Sequence, residues 1–430
     1  MNTRRRFLAA ALATPVALAG CKVRTINYFP GSTAHVRFVN AMVGSAAIDL
    51  VEGDTVLFAA IPFEGSTGFT DLENTPRKFR IRFTGQTTDL GSIDLALAGE
   101  QSYTIVAFGT AERPELLVAP DVMTSGSGQV QIRIINVAVG SPSYDVFITD
   151  PDVVFDNNLS PNLIGIQGGS STTSLRFEQR ALRIRATPNG SSSLAFDSGP
   201  LDFTVSSSVD LVLYTLGSQG LPAMMLLDVD GALRRQLVPS AIAAMRMVNA
   251  AFQSGAIIGK FDGTVFTAEI PYPGVTGYGF QAAGLHTVSF EAVATPGATI
   301  ASLQYDFPRS LDTSLVAVGT AGAVQILAFP DDNRVPGPGT MRIRFVNASS
   351  DNGAYDAYLG DTKLVSALAA RTASPYFTQL EGTYTVTFRD PGTGTTVLTV
   401  ADLALGEGRV TTIYVTGVAG NLNSQQSTER

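Results

Sequence analysis

The stretch Val36-Arg-Phe-Val-Asn-Ala41 decides the fold, because the chain contains it in four related copies. The other copies are Ile132–Val137 (IRIINV), Met245–Ala250 (MRMVNA) and Ile343–Ala348 (IRFVNA). The shared asparagines, at positions 40, 136, 249 and 347, are separated by 96, 113 and 98 residues. Self-similarity of this kind indicates that one structural unit is repeated along the chain.

A second marker closes each copy. It is an apolar run that ends in glycine, at Gly109, Gly217, Gly319 and Gly417. The distances from the asparagine to the closing glycine are 69, 81, 70 and 70 residues. Because two independent markers keep this spacing, we interpret the chain as four units of about 85–105 residues each.

Each unit is predicted to be a β-sandwich. Short runs of alternating apolar residues are separated by turn sequences such as Asn189-Gly190, at intervals of roughly 8–12 residues, without an amphipathic helical window. Strand geometry places Val36 and Phe38 on one face of the first marker strand and Arg37 and Val39 on the other. The fold class predicted is therefore all-β, with tandem immunoglobulin-like sandwiches.

The markers and the Gly-, Ser- and Pro-rich linkers divide the chain into domains. We expect an export signal at 1–20, sandwiches at 33–122, 129–230, 241–332 and 340–420, and a flexible polar tail at 421–430. The second junction, at 230–239, is longer and has room for one helical turn. Units joined in this way should form a semi-rigid rod with small interfaces between neighbours.

Three motifs together carry a family resemblance. The marker strand is followed by a Val/Asp/Tyr strand, as at Ala354–Tyr358, and later by a strand such as Gly382–Val386. This combination resembles the bacterial domain of unknown function 4397 (DUF4397) family. It is clearest in the fourth unit and weakest in the third, where Ile257-Ile-Gly259 replaces the Asp strand. The resemblance implies an immunoglobulin-like sandwich in exported proteins and transfers no catalytic residue.

The first 21 residues have the pattern of an export signal. Arg4 and Arg5 stand before Phe7 and Leu8 in a way that resembles a twin-arginine signal. The apolar run that follows is shorter than the roughly 20 residues needed to cross a bilayer. It ends in the sequence LAGC, which resembles the lipobox of bacterial lipoproteins and predicts lipidation of Cys21. The alternative is a buried N-terminal helix with an incidental cysteine.

Charge and cysteine content exclude several classes of protein. The net charge is −8, and removal of residues 1–20 takes away three arginines and no acid, so the mature chain would carry −11. This charge is opposite to that of nucleic-acid-binding surfaces. Cys21 is the single cysteine, so a lipidated chain has no thiol left for a disulfide or a thiolate metal site.

The sequence offers little for catalysis. His35 and His286 are the two histidines, and they fall at non-equivalent positions of different units. A zinc site or a Ser-His-Asp triad needs a histidine beside its partners, and no GxSxG, P-loop, GxGxxG or HExxH motif occurs. Paired carboxylates could serve glycoside cleavage, but the chain lacks tryptophan for sugar stacking. We therefore predict a protein that is not an enzyme.

Acidic residues gather at the predicted joints between units. Calcium binds six to eight oxygen ligands, and it could bridge such loops. The competing interpretation is that these residues form ordinary Asx turns. No cofactor is predicted apart from this calcium, whose candidate ligands are Asp228, Asp230, Asp331 and Asp332.

A repeated arginine and aspartate stand 12 residues apart in three units. In a hairpin they would form cross-strand ion pairs worth less than about 1 kcal/mol. If the chain crosses between sheets instead, the partners are separate and each charge is solvated. We favour the crossing for these pairs: Arg37 with Asp49, Arg133 with Asp145, and Arg344 with Asp356.

The sequence as a whole favours a structural or adhesive role. We expect a lipid-anchored scaffold or binding protein of the bacterial cell envelope, on the periplasmic face or outer membrane. Its partners would be the membrane, through the lipid, and an unknown protein or glycan, but not nucleic acid. The alternative is a carbohydrate-binding or hydrolytic envelope protein that uses loop carboxylates.

Overall fold

The computed structural model describes residues 32–121, 127–206, 208–218, 220–229, 235–351 and 353–429. Regular structure in these residues is entirely β, which confirms the fold class. No helix in the described residues is long and apolar enough to cross a membrane.

The first unit consists of two stacked sheets. Its strands are β1 (Thr33–Asn40), β2 (Ile48–Glu52), β3 (Thr55–Ile61), β4 (Gly65–Ser66), β5 (Thr70–Glu73), β6 (Pro76–Phe83), β7 (Gly91–Ala96), β8 (Ser102–Gly109) and β9 (Pro114–Asp121). The inner sheet has the order β4-β1-β8-β9, with β5 also on β1, and the outer sheet has the order β3-β2-β6-β7. Strands β1 and β8 are parallel, and the other neighbours are antiparallel.

The second unit repeats this plan and adds one strand. It contains β10 (Gln129–Asn136), β11 (Tyr144–Thr149), β12 (Leu163–Ile166), β13 (Ser170–Ser171), β14 (Leu175–Glu178), β15 (Ala181–Pro188), β16 (Phe196–Asp202), β17 (Ser208–Thr215), β18 (Pro222–Asp228) and β19 (Arg235–Val238). The inner sheet is β13-β10-β17-β18-β19, with β14 on β10, and the outer sheet is β12-β11-β15-β16. The described part of the long second junction is therefore a strand.

The third and fourth units follow the first. The third has β20 (Ile242–Asn249), β21 (Ile257–Phe261), β22 (Thr264–Ile270), β23 (Gly274–Val275), β24 (Gly279–Ala282), β25 (Gly284–Ala292), β26 (Thr299–Phe307), β27 (Asp312–Thr320) and β28 (Ala323–Asp331). The fourth has β29 (Thr340–Asn347), β30 (Tyr355–Leu359), β31 (Thr362–Leu368), β32 (Thr372–Ala373), β33 (Phe377–Leu380), β34 (Gly382–Arg389), β35 (Thr396–Leu405), β36 (Val410–Val418) and β37 (Asn421–Glu429). Their inner sheets are β23-β20-β27-β28 and β32-β29-β36-β37.

Each sandwich has a core between its two sheets, and the core of unit 2 also includes Ala244 of unit 3. Phe38, Ile134, Met247 and Phe345 are fully buried, each in a different apolar cluster. These are the core-facing residues of the four marker strands, so the predicted alternation is confirmed on this face. Outer-sheet strands such as β7 alternate between half-buried and exposed residues, as expected when one face meets solvent.

Two expectations about the chain path have different outcomes. The chain does cross between sheets after each marker strand, because β1 lies in the inner sheet and β2 in the outer. The prediction of a flexible tail at 421–430 is wrong, because Asn421–Glu429 forms β37, which pairs along its length with β36. The side chains of β37 are mostly polar, so the sequence pattern did not predict a strand there. The strand is stabilised by backbone pairing with β36.

The closing glycines mark tight turns between the last two strands of an inner sheet. Gly109, Gly319 and Gly417 have φ values of 83°, 107° and 93°. A Cβ at these positions would lie 2.2–2.3 Å from the backbone oxygen four residues further on. A side chain is therefore excluded by both conformation and space.

Candidate functional site: the paired inner sheets

The repeated arginine lies on the second face of each inner sheet, opposite the core. Arg37, Arg133, Arg246 and Arg344 are at most 3% exposed. The prediction that these arginines point away from the core of their own unit is correct. The prediction that they are exposed to solvent is wrong. The second face of each inner sheet is covered by the inner sheet of a neighbouring unit.

Units 1 and 2 pack these faces together, and units 3 and 4 do the same. Each contact has an apolar core to which both units contribute: Val39, Phe108, Ile135 and Met225 between units 1 and 2, and Val248, Val316, Val346 and Tyr414 between units 3 and 4. The units are therefore joined as two face-to-face pairs. The expected rod with small interfaces is wrong.

The carboxylate of Asp210, on β17, lies between the arginines of units 1 and 2. Arg37 Nη2 donates to Asp210 Oδ2 at 2.6 Å. Arg133 donates from Nε to Oδ1 at 2.8 Å and from Nη2 to Oδ2 at 2.7 Å. Thr104 Oγ1 adds a hydrogen bond of 3.0 Å to Oδ2, and Arg37 Nη1 reaches the carbonyl oxygen of Asp228 at 2.9 Å.

Electrostatics keep this carboxylate charged. Burial alone would raise the pKa of Asp210, but the charges and hydrogen bonds of Arg133 and Arg37 outweigh it and hold the pKa below its ordinary value. Removing one member of such a buried ion cluster strongly destabilises the folded protein, because the remaining charge is left buried without a partner or water to compensate it. The cluster therefore ties unit 1 to unit 2.

Units 3 and 4 contain a related cluster around Asp331, on β28. Arg344 Nη2 donates to Oδ1, while Ser314 Oγ and Tyr278 Oη donate to Oδ2 at 2.6 and 2.5 Å. Arg246 Nε lies 3.8 Å from Oδ2. Burial would raise the pKa of Asp331, but Arg246 and Arg344 hold it below its ordinary value.

The last strand, β37, completes the cluster of units 3 and 4. Arg246 Nη1 donates to Ser427 Oγ at 2.6 Å and to the carboxylate of Glu429. Burial raises the pKa of Glu429 above its ordinary value, and the charge of Arg246 opposes that rise. The segment predicted to be a tail thus supplies two contacts to the neighbouring unit.

Asp210 was not singled out from the sequence, and Asp331 was singled out only as a candidate calcium ligand. Asp210 lies beside Arg133 in the register of β10 and β17, whereas Asp331 comes from the strand after β27. The sequence did contain one sign of the contact between units: the marker strands have apolar residues on both faces. Val39 shares a face with Arg37, and a strand that is apolar on both faces is expected to be covered on both.

The repeated asparagine holds the crossing from the inner to the outer sheet. Asn40 Oδ1 accepts the backbone N–H of Met42 at 3.0 Å, and its Nδ2 donates to the carbonyl oxygen of Ile61 at 3.0 Å. The equivalent bonds in the other three units measure 2.9–3.3 Å. The asparagine is therefore a structural clamp.

The repeated aspartate holds a bulge in the outer sheet and does not contact the repeated arginine. Asp49 Oδ1 accepts the N–H of Ala60, and Asp356 Oδ1 that of Ala367, both at 2.7 Å. Both alanines have positive φ, at 55° and 47°. In the third unit Ile258 replaces the aspartate, and β22 contains no residue with positive φ. The third unit keeps the same register shifts between β21 and β22, so the positive φ is lost together with the acid, whereas the bulge remains.

The two histidines lie apart, each beside an aspartate. His35 Nδ1 is 2.6 Å from Asp71 Oδ1 in unit 1. His286 Nδ1 is 2.7 Å from Asp262 Oδ2 in unit 3. The structure brings neither histidine to the arginine clusters.

The candidate calcium ligands are dispersed among other interactions. Asp331 binds arginines as described, and Asp332 accepts hydrogen bonds from Arg334 and Arg342. Asp228 Oδ1 accepts Ser206 Oγ at 3.0 Å. Asp230 lies outside the described residues. The described residues contain no group of three or more His, Cys, Asp or Glu side chains that could hold a metal ion. The calcium hypothesis stays a prediction.

The residues predicted to direct export and anchoring lie outside the described part of the chain. They are Arg4, Arg5, Phe7, Leu8 and Cys21. Their roles remain predictions from the sequence.

Two clefts open beside the paired sheets. One, of about 340 Å³, lies between units 1 and 2 and is lined by residues that include Arg37, Pro62 and Arg235. The other, of about 370 Å³, is lined by units 2, 3 and 4: Pro142, Tyr278, Phe280, Asp312 and Glu429 are among its residues. Such junctions are usual places for ligands.

Two solved structures show limited likeness to this chain. One is described as "Alpha-glucan binding by a streptococcal virulence factor", with 9% identity and a TM-score of 0.18 over 42% of this chain and 93% of that one. The other is "The fimbrial anchor protein Mfa2 from Porphyromonas gingivalis", with 9% identity and a TM-score of 0.22 over 47% and 98%. No curated protein matches the sequence. At this level of similarity neither structure bears on function.

The family model described as "Domain of unknown function (DUF4397)" matches residues 34–147, 243–358 and 346–429. These matches cover more than half of the chain and contain the marker strands of units 1, 2, 3 and 4. They agree with the resemblance carried by the repeated motifs. The chain therefore belongs to the DUF4397 family, of which it contains repeated copies.

Proposed function

We propose that the mature chain is a non-catalytic scaffold or binding protein of the bacterial cell envelope, anchored by a lipid on Cys21. The observation that carries this proposal is the pairing of the inner sheets. Because buried charge and apolar packing fix the units against one another, the outer sheets and end loops are held in set positions. Fixed surfaces of this kind suit the binding of a partner.

Export and anchoring are supported by the sequence at the N-terminus. The Arg4-Arg5 pair, the short apolar run and the small residues before Cys21 occur in the order that a lipoprotein signal requires. Lysine at positions 4, 5 and 6 keeps the charge but removes the arginine pair, so this variant should remain in the cytoplasm. Undiminished export would indicate the general secretory route.

A non-catalytic role is supported by how the chain uses its reactive groups. The buried arginines and aspartates are engaged with each other across the unit contacts. The histidines lie in separate units, each beside one aspartate. These arrangements serve packing and local structure.

A second candidate function is carbohydrate binding, and the larger cleft favours it. Tyr278 and Phe280 provide aromatic surface there, and Glu429 provides a half-buried carboxylate. The second carboxylate, that of Asp312, is buried and accepts hydrogen bonds from Ser218 and Asn333. Aromatic surface with a few directed polar groups is typical of small-ligand sites. Hydrolysis at this site would require the two carboxyls to act as an acid and base pair.

One experiment separates the two candidates. The mature Cys21→Ser chain is used to capture partners from envelope extract and, in parallel, to probe a panel of immobilised glycans. The scaffold proposal predicts a captured protein that a Phe280→Ala variant also retains. Glycan binding that Phe280→Ala abolishes would instead establish the second candidate, and failure of both assays would contradict a binding role.

A further inference from the structure

The two face-to-face pairs are built alike, so their sheet edges can be compared position by position. Arg133 of unit 2 donates from Nη1 to the carbonyl oxygen of Pro120 in unit 1. Arg344 of unit 4 makes the same bond to the carbonyl oxygen of Pro330 in unit 3. Unit 3 therefore takes the place of unit 1, and unit 4 takes the place of unit 2.

The last strand of the inner sheet is covered in unit 2 but not in unit 4. Strand β19 pairs antiparallel with β18, from Met224 opposite Val238 to Leu227 opposite Arg235. Within the described residues, the corresponding strand β37 has β36 as its single ladder partner. Because units 2 and 4 occupy the same place in their pairs, the architecture accommodates a further strand beside β37.

Strand β37 also lacks the protection that the other two bare edges have. The registers through each inner sheet align Pro120 of β9, Pro330 of β28 and Thr428 of β37. A proline in an edge strand has no N–H to offer and hinders further pairing. Thr428 keeps its N–H, and from Asn421 to Thr428 the strand contains neither proline nor a charged side chain.

The hairpin that ends in β37 determines which backbone groups are free to pair. Its two-residue turn, Ala419-Gly420, is flanked by Val418 and Asn421, which lie opposite each other. Residues that flank such a turn exchange hydrogen bonds, and so does every second pair after them. The residues between these pairs direct their N–H and C=O groups away from β36: Leu422, Ser424, Gln426 and Thr428.

Strand β37 is complementary to itself. A twofold axis at Gln425 brings an antiparallel copy alongside, with Leu422 opposite Thr428 and Ser424 opposite Gln426. The outward N–H and C=O groups then meet in hydrogen-bonded pairs. At the axis the Gln425 amide, which both donates and accepts, faces its own copy. Like charges, which would destabilise the pairing, do not come opposite each other in this register.

We propose that β37 pairs with β37 of a second copy of the chain about this axis, so that the inner sheets of the two fourth units form one continuous sheet. The second copy then covers Ser424–Ser427, which correspond to the residues Met224–Leu227 that β19 covers in unit 2. The contact goes beyond the proposed function and depends neither on the lipid nor on a ligand.

Disulfide trapping tests the pairing and its register. In the mature Cys21→Ser chain, Gln425→Cys places a thiol opposite its own copy at a Cα separation of about 4.5 Å, which suits a disulfide. Asn423→Cys is the matched control, because its own copy lies four residues, or about 13 Å, further along the strand. Asn423 is the more exposed of the two residues, so random collisions would favour the control.

Under mild oxidation, Gln425→Cys should give about tenfold or more cross-linked dimer than Asn423→Cys, because the pairing raises the effective concentration of one thiol at the other. Equal trapping of the two variants would overturn the proposal.

Light scattering tests the same contact without cysteines. The mass of the mature Cys21→Ser chain should rise with concentration towards that of a dimer. Thr428→Pro installs the residue that units 1 and 3 carry at this position, so the fold tolerates it. It removes one hydrogen bond from each copy and should weaken association about tenfold or more.

Thr428→Val is the control for that exchange, since it loses the same hydroxyl but keeps the N–H, and it should associate like the unaltered chain. A chain that stays monomeric at every concentration would overturn the proposal. Association that Thr428→Pro leaves unchanged would do the same.

Discussion

The exchange Asp210→Asn tests whether the buried cluster holds units 1 and 2 together. It preserves size and one acceptor oxygen, but it removes the negative charge between Arg37 and Arg133. Uncompensated buried charge costs about 3–5 kcal/mol. Since domains have total stabilities of about 5–15 kcal/mol, the pair should lose about a fifth or more of its free energy of unfolding.

The assay is urea unfolding followed by hydrogen exchange and mass spectrometry, which assigns the loss to each unit. Peptides from units 1 and 2 should lose protection together, while peptides of units 3 and 4 retain it. The control is Asp54→Asn, whose carboxylate is exposed and 3.9 Å from Arg80; its effect should be below about 0.5 kcal/mol. A loss below about 1 kcal/mol in Asp210→Asn, or one confined to unit 2, would refute the reasoning.

Other perturbations address the acids, the anchor and the bulge. Because the pKa values of Asp210 and Asp331 are lowered in the folded chain, these carboxylates stabilise it fully above their unfolded pKa of about 3.9, and this stabilisation is lost as the pH falls through their folded pKa values. The urea concentration at the unfolding midpoint, measured from pH 7 to pH 3, should therefore decrease once the pH is below about 4. An unchanged midpoint would contradict this. Cys21→Ala should move the protein from the membrane to the soluble fraction, and a variant that still sediments wholly with membranes would defeat the anchor. Asp356→Ala should expose the Ala367 amide to exchange and cost about 1–3 kcal/mol. The control is Asp361→Ala, an exposed acid in the turn between β30 and β31, which should have little effect.

The core of each unit could be predicted from the sequence because alternation is a local property. Phe38 and Phe345 follow the period-2 pattern of their strands, and each is buried as expected. The closing glycines were also visible, since only glycine fits turns such as the one at Gly109. Because the chain contains four copies of the marker strand and of the closing glycine, each pattern could be checked against three others.

The contacts between units could not be predicted, because they depend on how separate sandwiches meet. Arg37 was assigned to solvent since charged residues usually are exposed, yet the partner that covers it, Asp210, is far away in the sequence. The strand β37 was missed for a related reason. Its side chains are polar, and its stability depends on pairing with β36 and on contact with Arg246.

Native-state hydrogen exchange of the unaltered mature chain at rising urea tests the central claim most directly. If face-to-face pairs are the units of stability, the amides of β1 and β10 open with one free energy and one urea dependence, and those of β20 and β29 open together as well. Opening of β1 while β10 remains fully protected would show that the sandwiches are independent and would contradict the account.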